Sequence, residues 1–377
     1  MKWLITADIH VHHHKKSAER LQDCLDALNW VFQTAVEKSV EHIIVAGDLF
    51  YDRFKIDVPT YQKTFEIFKK YTDKHDFGVW LLIGNHDMFM HKEWDISSMV
   101  PLSGIPSVTV INKPCVIPIG GVPAAFLPYT SDPIADLAKI EDNCSPADIL
   151  FGHVALDNAV LNPLYNTTSE VQVENDGDMV KVDSGIFEKW KQVFLGHYHA
   201  AQTLGSNVEY VGSPLQLSYG EAFQPKHVII YHPTADIKEY VENDFSPKHF
   251  IIRRNEVDKY DVAGNFVKLL VDGMDEVGLM NTRKEFLEEL GAKTFDVKPP
   301  DNGRGQKDDE VMVENARAIL DNEFEIFKRY IEEVEKKDPE SLEGLEKDRL
   351  MELCQKVIDA ARKREEGKDE THEEIEL

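Results

Sequence analysis

Over the first 250 residues, short apolar runs alternate with stretches whose apolar residues recur at helical spacing. Residues 2–7, 42–47 (HIIVAG) and 78–84 (GVWLLIG) are apolar runs of strand length, and 147–152 (ADILFG) and 192–196 (QVFLG) repeat the style. Between the first two, Leu21, Leu25, Leu28, Val31, Phe32 and Ala35 mark one face of a helix over 17–38, and 60–71 reads as a second helix. Shorter alternating runs at 108–112, 115–119, 124–127, 208–211 and 228–231 predict further strands. Strands with helices outside them predict a layered α/β sandwich. After Phe250 the style changes. Residues 266–272 predict a strand, 282–291 a helix closed by Gly291, and 294–298 another strand, together a small β-α-β unit. The Pro- and Gly-rich segment 299–305 is a linker by composition. Two amphipathic helices follow, about 308–337 and 341–366. The chain thus divides into a main domain 1–245, a small unit 246–300, a linker 301–307, a helical region 308–366 and a charged tail 367–377.

Composition narrows the classes. A chain of 377 residues buries a core without help from disulfides. Cys24, Cys115, Cys144 and Cys354 lie far apart with no CxxC pair, which excludes a disulfide scaffold or a thiolate zinc ribbon and suits a reducing cytoplasm. No apolar run approaches the ~20 residues of a membrane span, and the charge at Asp8 comes too early for a signal peptide. The net charge of −26 argues against a general nucleic-acid coat, which needs Lys and Arg for phosphate, but not against an enzyme whose bound cations face the phosphate.

The chemistry follows the strands. Asp8-Ile9-His10, Gly47-Asp48, Gly84-Asn85-His86-Asp87, Gly152-His153 and Gly196-His197-Tyr198-His199 each stand at the end of an apolar run. Loops at the carboxyl ends of strands are where α/β sheets build sites. Asp8/His10 and His197/His199 are two residues apart, so on extended backbone each pair shares a face. Asp8, His10, Asp48, Asn85, His153, His197 and His199 offer carboxylate, amide and imidazole but no thiolate, which suits Mn, Fe or Zn. Seven ligands exceed one tetrahedral ion and suit two ions sharing a carboxylate, a geometry that clamps an in-line phosphoryl displacement. His12-His13-His14 point alternately on extended backbone and read as loop residues near the site mouth. Met88 and Phe89, with Met90 and Trp94, read as core packing.

Asp-x-His, Gly-Asp, Gly-Asn-His-Asp, Gly-His and Gly-His-x-His, in that order, resemble the signature of the calcineurin-like metallophosphoesterases. Gly47-Asp48-Leu49-Phe50, Asp87 and Tyr210-Val211-Gly212-Ser213-Pro214 resemble the Mre11/SbcD nucleases within that family, in a compact form similar to phage recombination nuclease subunits. The resemblance implies a four-layer β-sandwich flanked by helices, with the β-α-β unit as a capping domain and the C-terminal helices gripping a Rad50/SbcC-like ATPase. It implies two divalent ions, most often Mn²⁺, bridged by Asp48. Asp8, His10 and His199 complete one site and Asn85, His153 and His197 the other. The resemblance further implies that activated water would attack the phosphodiester and that His86, oriented by Asp87, would protonate the leaving oxygen. Tyr51 stands where cellular relatives carry His. Tyr51, Arg53 and Ser213 are substrate-contact candidates.

The function implied is metal-dependent exo- or endonuclease action on DNA in end processing, recombination or degradation. The assembly implied is a homodimer within a heterotetramer with the ATPase, in the cytoplasm (a host's, for a phage protein). A stand-alone phosphatase or small-molecule phosphodiesterase of the same fold is the alternative. The C-terminal region (307–377) holds 13 Lys and Arg against 24 Asp and Glu, which disfavours DNA as its partner. Its two apolar stripes predict either an internal hairpin or a docked partner.

Overall fold

A computed structural model of the chain describes residues 1–14, 17–89, 95–143, 146–160, 181–271 and 276–298, together with Arg349. The linker, paired helices and tail expected at 301–377 lie outside the described residues, Arg349 apart, as do Met90, Trp94 and Cys144. Met1–Pro299 form one compact unit.

In chain order the main elements are β1 (Trp3–Thr6), α1 (Ala18–Glu37), β2 (His42–Val45), α2 (Val58–Thr72), β3 (Gly78–Leu82), β4 (Val108–Ile111), β5 (Cys115–Ile119), β6 (Val122–Leu127) and α3 (Pro133–Asn143). Then come β7 (Ile149–His153), β8 (Ala155–Leu156), β9 (Lys181–Val182), β10 (Gln192–Gly196), β11 (Gln202–Leu204), β12 (Val208–Tyr210), β13 (His227–His232) and β14 (Ile237–Glu242). The unit closes with β15 (His249–Arg253), β16 (Phe266–Leu270), α4 (Glu276–Lys284) and β17 (Thr294–Lys298).

Two six-stranded sheets result, ordered β14-β13-β1-β2-β3-β4 and β11-β12-β10-β7-β6-β5. Strands β1 to β4 run parallel, as do β6, β7, β10 and β12. Side chains alternate across a strand, and this alternation builds four layers. Trp3 and Ile5 of β1 meet Phe126, Phe151 and Phe194 of the other sheet in a shared core. Leu4 between them faces α1 and α2, among Leu21, Leu25, Phe32 and Phe68. On the far side, Leu150, Val193 and Leu195 pack against Leu137 and Ile140 of α3. Both faces of the central strands are covered, which explains why they read as unbroken apolar runs rather than alternating ones. The helix starts are capped as their sequences require. Ser17 Oγ accepts from Arg20 N at 3.2 Å, and Asp57 Oδ1 accepts from Thr60 N at 3.0 Å.

A third sheet, β15-β16-β17, is all parallel and has its own core around Ile252, Val267, Leu269, Phe286 and Phe295. This unit is larger than its pattern predicts. A strand at His249–Arg253 joins it, and α4 begins at Glu276 rather than 282, running on through a wider turn at Glu285–Glu289. Gly291, at φ 70°, takes the left-handed conformation expected after a helix end. Helix α3 and strand β14 were not anticipated either; β14 is an exposed edge strand with no buried face to shape its pattern. Among the described residues, no helix is long and apolar enough to cross a membrane.

Candidate metal centre

The carboxyl ends of β1, β2 and β3 in one sheet and of β7 and β10 in the other open toward a single pocket. The loops after β1 and β2 run side by side: Asp8 N donates to the Gly47 carbonyl at 3.0 Å, His10 N to the Asp48 carbonyl at 3.1 Å and Val11 N to the Leu49 carbonyl at 2.8 Å. Across the sheets, His197 N donates to the Asp8 carboxylate at 3.0 Å. Asp8, His10, Asp48 and His197 hold φ of 52°, 49°, 53° and 104°, a region unfavourable for residues with a side chain. Strain of this kind, of order 1–3 kcal/mol per residue, persists only where surrounding bonds over-determine the backbone.

All seven expected ligands meet here. Asp8, His10 and His199 form one group of donor atoms within 4.8 Å of one another; Asp8, Asp48 and His153 form a second, and His10, Asp48 and His86 a third. Asp48 stands in the middle. Its Oδ2 lies 3.6 Å from His10 Nε2 on one side and 3.3 Å from His153 Nε2 on the other. Asn85 Oδ1 joins the His153 side, 3.0 Å from His153 Nε2 and 3.2 Å from His197 Nδ1.

The donors fit a cation. His153 Nδ1 lies 2.9 Å from the Ala46 carbonyl, which only accepts, so Nδ1 carries a proton and Nε2 is the nitrogen turned to Asn85 Oδ1 and Asp48 Oδ2. His199 Nδ1 lies 3.0 Å from Glu221 Oε1, and its Nε2 lies 3.0 Å from His10 Nε2. His10 Nδ1 is buried with no hydrogen-bond partner among the described residues. Nitrogen and oxygen atoms this close repel unless a proton or a cation stands between them. Without a metal, a proton on His153 supplies that charge. Burial would push the His153 imidazolium down, yet the Asp48 carboxylate lifts it to about 9. Burial likewise would raise Asp48, but His153 and His86 hold it well below the usual carboxylate range. Burial keeps His197 neutral, down to about 3, and His10 neutral as well, the state in which imidazole binds metal. Asp8 is pushed up to about 6 by burial, against the pull of His153 and His199.

Two residues differ from expectation in what they touch. Asp87 does not orient His86. Its Oδ2 accepts from Asp48 N at 2.8 Å and Gly84 N at 3.0 Å, and its Oδ1 from Phe50 N at 3.2 Å, so it clamps the two ligand loops together. His86 instead donates from Nδ1 to the Tyr51 backbone carbonyl at 2.6 Å, while its own N–H donates to Asp48 Oδ1 at 2.9 Å. Ser213 is 1% exposed, and its hydroxyl lies 3.1 Å from Glu221 Oε2 and 2.9 Å from the Leu215 carbonyl, so it is not presented to a substrate. The β12-to-β13 segment turns it inward, under His199.

Tyr51 and Arg53 are half-buried at the open side, with His86, His197 and His199. The Tyr51 ring stacks on His86 at 5.5 Å and lies 4.9 Å from His12 and 5.2 Å from His14, which places these loop histidines at the mouth. His13 faces Asp57 at 3.2 Å instead. Met88 is buried as core, but Phe89 is exposed against Phe54, at a ring distance of 5.8 Å.

Sequence reasoning missed Glu221 and Lys226. Glu221 grips His199, and Lys226 Nζ lies 2.6 Å from Glu221 Oε2. Burial would raise the Glu221 carboxyl, but Lys226 and His199 hold it well below its ordinary range. No spacing rule links Glu221 to His199, since the contact spans 22 positions through a short 3₁₀ turn at Tyr219–Glu221.

Comparison with known proteins gives a concordant result. The family model described as calcineurin-like phosphoesterase matches residues 1–229. The chain is 22% identical over 306 residues to exonuclease subunit 1 of Enterobacteria phage T4, covering 79% of this chain and 84% of that protein. It is 25% identical over 287 residues to a subunit of the nuclease SbcCD of Escherichia coli K12, covering 64% and 68%. It is 27% identical over 304 residues to the DNA double-strand break repair protein Mre11 of Haloferax volcanii, covering 76% and 65%.

The glycines at the strand ends test this geometry. A Cβ on Gly84 would stand 2.1 Å from Asp48 Oδ1 and 2.6 Å from Asp48 N. Gly84→Ala is expected to displace Asp48 and weaken divalent-ion binding by roughly 10-fold or more, while far-UV circular dichroism stays native. Isothermal titration with Mn²⁺ measures it; unchanged affinity would remove Asp48 from the centre.

Proposed function

The chain belongs to the calcineurin-like phosphoesterase family, and on that premise we propose that it is a metal-dependent DNA nuclease working with a Rad50/SbcC-like ATPase. The observation that carries the reading is the position of Asp48, between His10 on one side and His153 on the other, with Asp8, Asn85, His197 and His199 completing two flanking groups. Asp8, His10, His199 and Asp48 would hold one divalent ion; Asp48, Asn85, His153 and His197 would hold the second, with Mn²⁺ the expected metal. When bound, such ions polarise the phosphate and acidify water. DNA as substrate rests on the relatives, named as an exonuclease subunit, a nuclease subunit and a double-strand break repair protein.

The residues of the chain then divide the work. Asp87 fixes the loops that carry Asp48 and Asn85. His86 is held by one ring nitrogen on the Tyr51 carbonyl, and its other nitrogen serves the leaving sugar oxygen as proton donor. Tyr51 and Arg53 line the mouth, where Arg53 meets a phosphate of the strand. The organisation 1–245, 246–300 and 308–366 as nuclease, capping and partner-binding regions belongs to the same reading, as does a homodimer within a heterotetramer. Two relatives are named as subunits, which supports a partner.

Linear duplex DNA and bis-p-nitrophenyl phosphate, each with Mn²⁺ and with Mg²⁺, test the substrate class. DNA degradation that stops with EDTA is expected; cleavage of the small diester alone would leave a phosphodiesterase of other substrate. His86→Ala is expected to slow turnover on the order of 10²–10⁴-fold with metal content near normal. Parallel loss of metal would make His86 a ligand, consistent with its place beside His10 and Asp48. In the full chain, Leu350→Asp with Val357→Asp is expected to abolish co-purification with the ATPase while sparing small-diester cleavage; an unimpaired complex would make the C-terminal helices an internal packing element.

A further inference from the structure

One buried acid–base pair grips the centre without contributing a ligand to it. Glu221 and Lys226 are 6% and 7% exposed. Glu221 Oε1 accepts from His199 Nδ1 at 3.0 Å, and Oε2 receives Lys226 Nζ at 2.6 Å and the Leu217 N–H at 3.3 Å. Lys226 Nζ also donates to the His199 backbone carbonyl at 2.9 Å and to Ser213 Oγ at 2.8 Å, with Gln224 Oε1 farther off at 3.3 Å. His199 is therefore held twice, by its ring through Glu221 and by its backbone through Lys226. Every ammonium N–H has an acceptor, so the pair is saturated.

His199 needs such a hold more than its neighbours do. His153 is fully buried and fixed by the Ala46 carbonyl, whereas the His199 side chain is 32% exposed at the open side of the pocket. A half-open imidazole is free to rotate or to change tautomer unless a neighbour prevents it. Glu221 itself is anchored from behind. Tyr219, two residues earlier, carries the Lys268 ammonium 4.0 Å from its ring centre and packs edge-on against His249 at 5.0 Å, both residues of the third sheet.

Resting on the metallophosphoesterase reading, we propose that Glu221, fixed by Lys226, is the positioning residue of this centre: it keeps His199 in the Nδ1–H form, with the Nε2 lone pair turned toward His10 and the cation. A carboxylate behind a ligating imidazole fixes ring orientation and raises ligand basicity, and its loss typically weakens metal affinity roughly 10- to 100-fold. The competing role is purely structural, a buried ion pair that holds the 3₁₀ turn in place.

The test is a double-mutant cycle read by Mn²⁺ titration calorimetry and by the visible spectrum of the Co²⁺-substituted protein. Glu221→Gln is expected to weaken binding roughly 10-fold or more and to shift the Co²⁺ bands. In a His199→Ala background the same change is expected to do nothing further, because the residue through which it acts is gone. Glu221→Gln with Lys226→Met removes both charges together and guards against misfolding from a lone buried ammonium; it is expected to show the same loss of affinity. Wild-type affinity and spectrum in both Glu221 variants, or equal losses with and without His199, would overturn the proposal. Should the wild-type protein itself bind no divalent ion, the metallophosphoesterase reading fails instead, and the two failures are distinguishable.

Discussion

The Asp48 carboxylate is closed off from water at 2% exposure, and the rest of the centre is arranged around what that costs. A buried carboxylate must be met by hydrogen bonds and by positive charge. The His86 backbone N–H supplies the first, and the His10 and His153 rings stand where the second has to be. A ring nitrogen cannot serve as a permanent cation and as a neutral ligand at once. Protonated His153 satisfies Asp48 without metal, and neutral His153 satisfies a metal that satisfies Asp48. Either way the pocket holds positive charge beside this carboxylate.

That requirement explains the backbone. For Asp48 to point inward from the end of β2 while its amide meets Asp87, its φ must be 53°, and Asp8 and His10 on the neighbouring loop take nearly the same value. Three inter-loop backbone bonds and the Asp87 clamp hold this strain in place. The layered sandwich supplies the rigidity beneath: covered on both faces, β1 and β2 cannot shift to relieve the loops above them. Fold and site are thus linked by the same few residues, Thr6 to Val11 and Val45 to Phe50.

What was legible in the sequence and what was not divides along physical lines. Strand ends carrying His, Asp or Asn, four of the five opened by Gly, are local signals, and they identified the seven residues that the fold brings together. Apolar periodicity identified α1, α2 and the strands of both sheets other than the edge strands β11 and β14, because each of those identified is covered on a defined face. Contacts made through the third dimension were not legible. Asp87 sits beside His86 in the chain, and adjacency suggested a dyad, but the turn sends the carboxylate down to backbone N–H groups and leaves His86 on a carbonyl. Ser213 follows a motif and looked available, yet the chain turns it under His199. Glu221 lies in a short turn with no periodicity of its own, and Lys226 is a lysine in an otherwise ordinary loop; only packing shows that they are buried together.

The net charge of −26 also takes a definite meaning from the structure. An acidic chain cannot draw a polyanion by a field of Lys and Arg. Around the mouth the described side chains are mostly imidazole and phenol, with Arg53 the one guanidinium among the predicted contacts. On the proposed reading, attraction for a phosphodiester would be local and would come from cations held at the candidate centre. Under that reading, metal binding and substrate binding are one property rather than two: a variant that empties the centre loses the electrostatic pull as well as the chemistry. On the same proposed reading, a partner surface rich in Lys and Arg would supply the basic excess that a chain with 42 Lys and Arg against 68 Asp and Glu does not have.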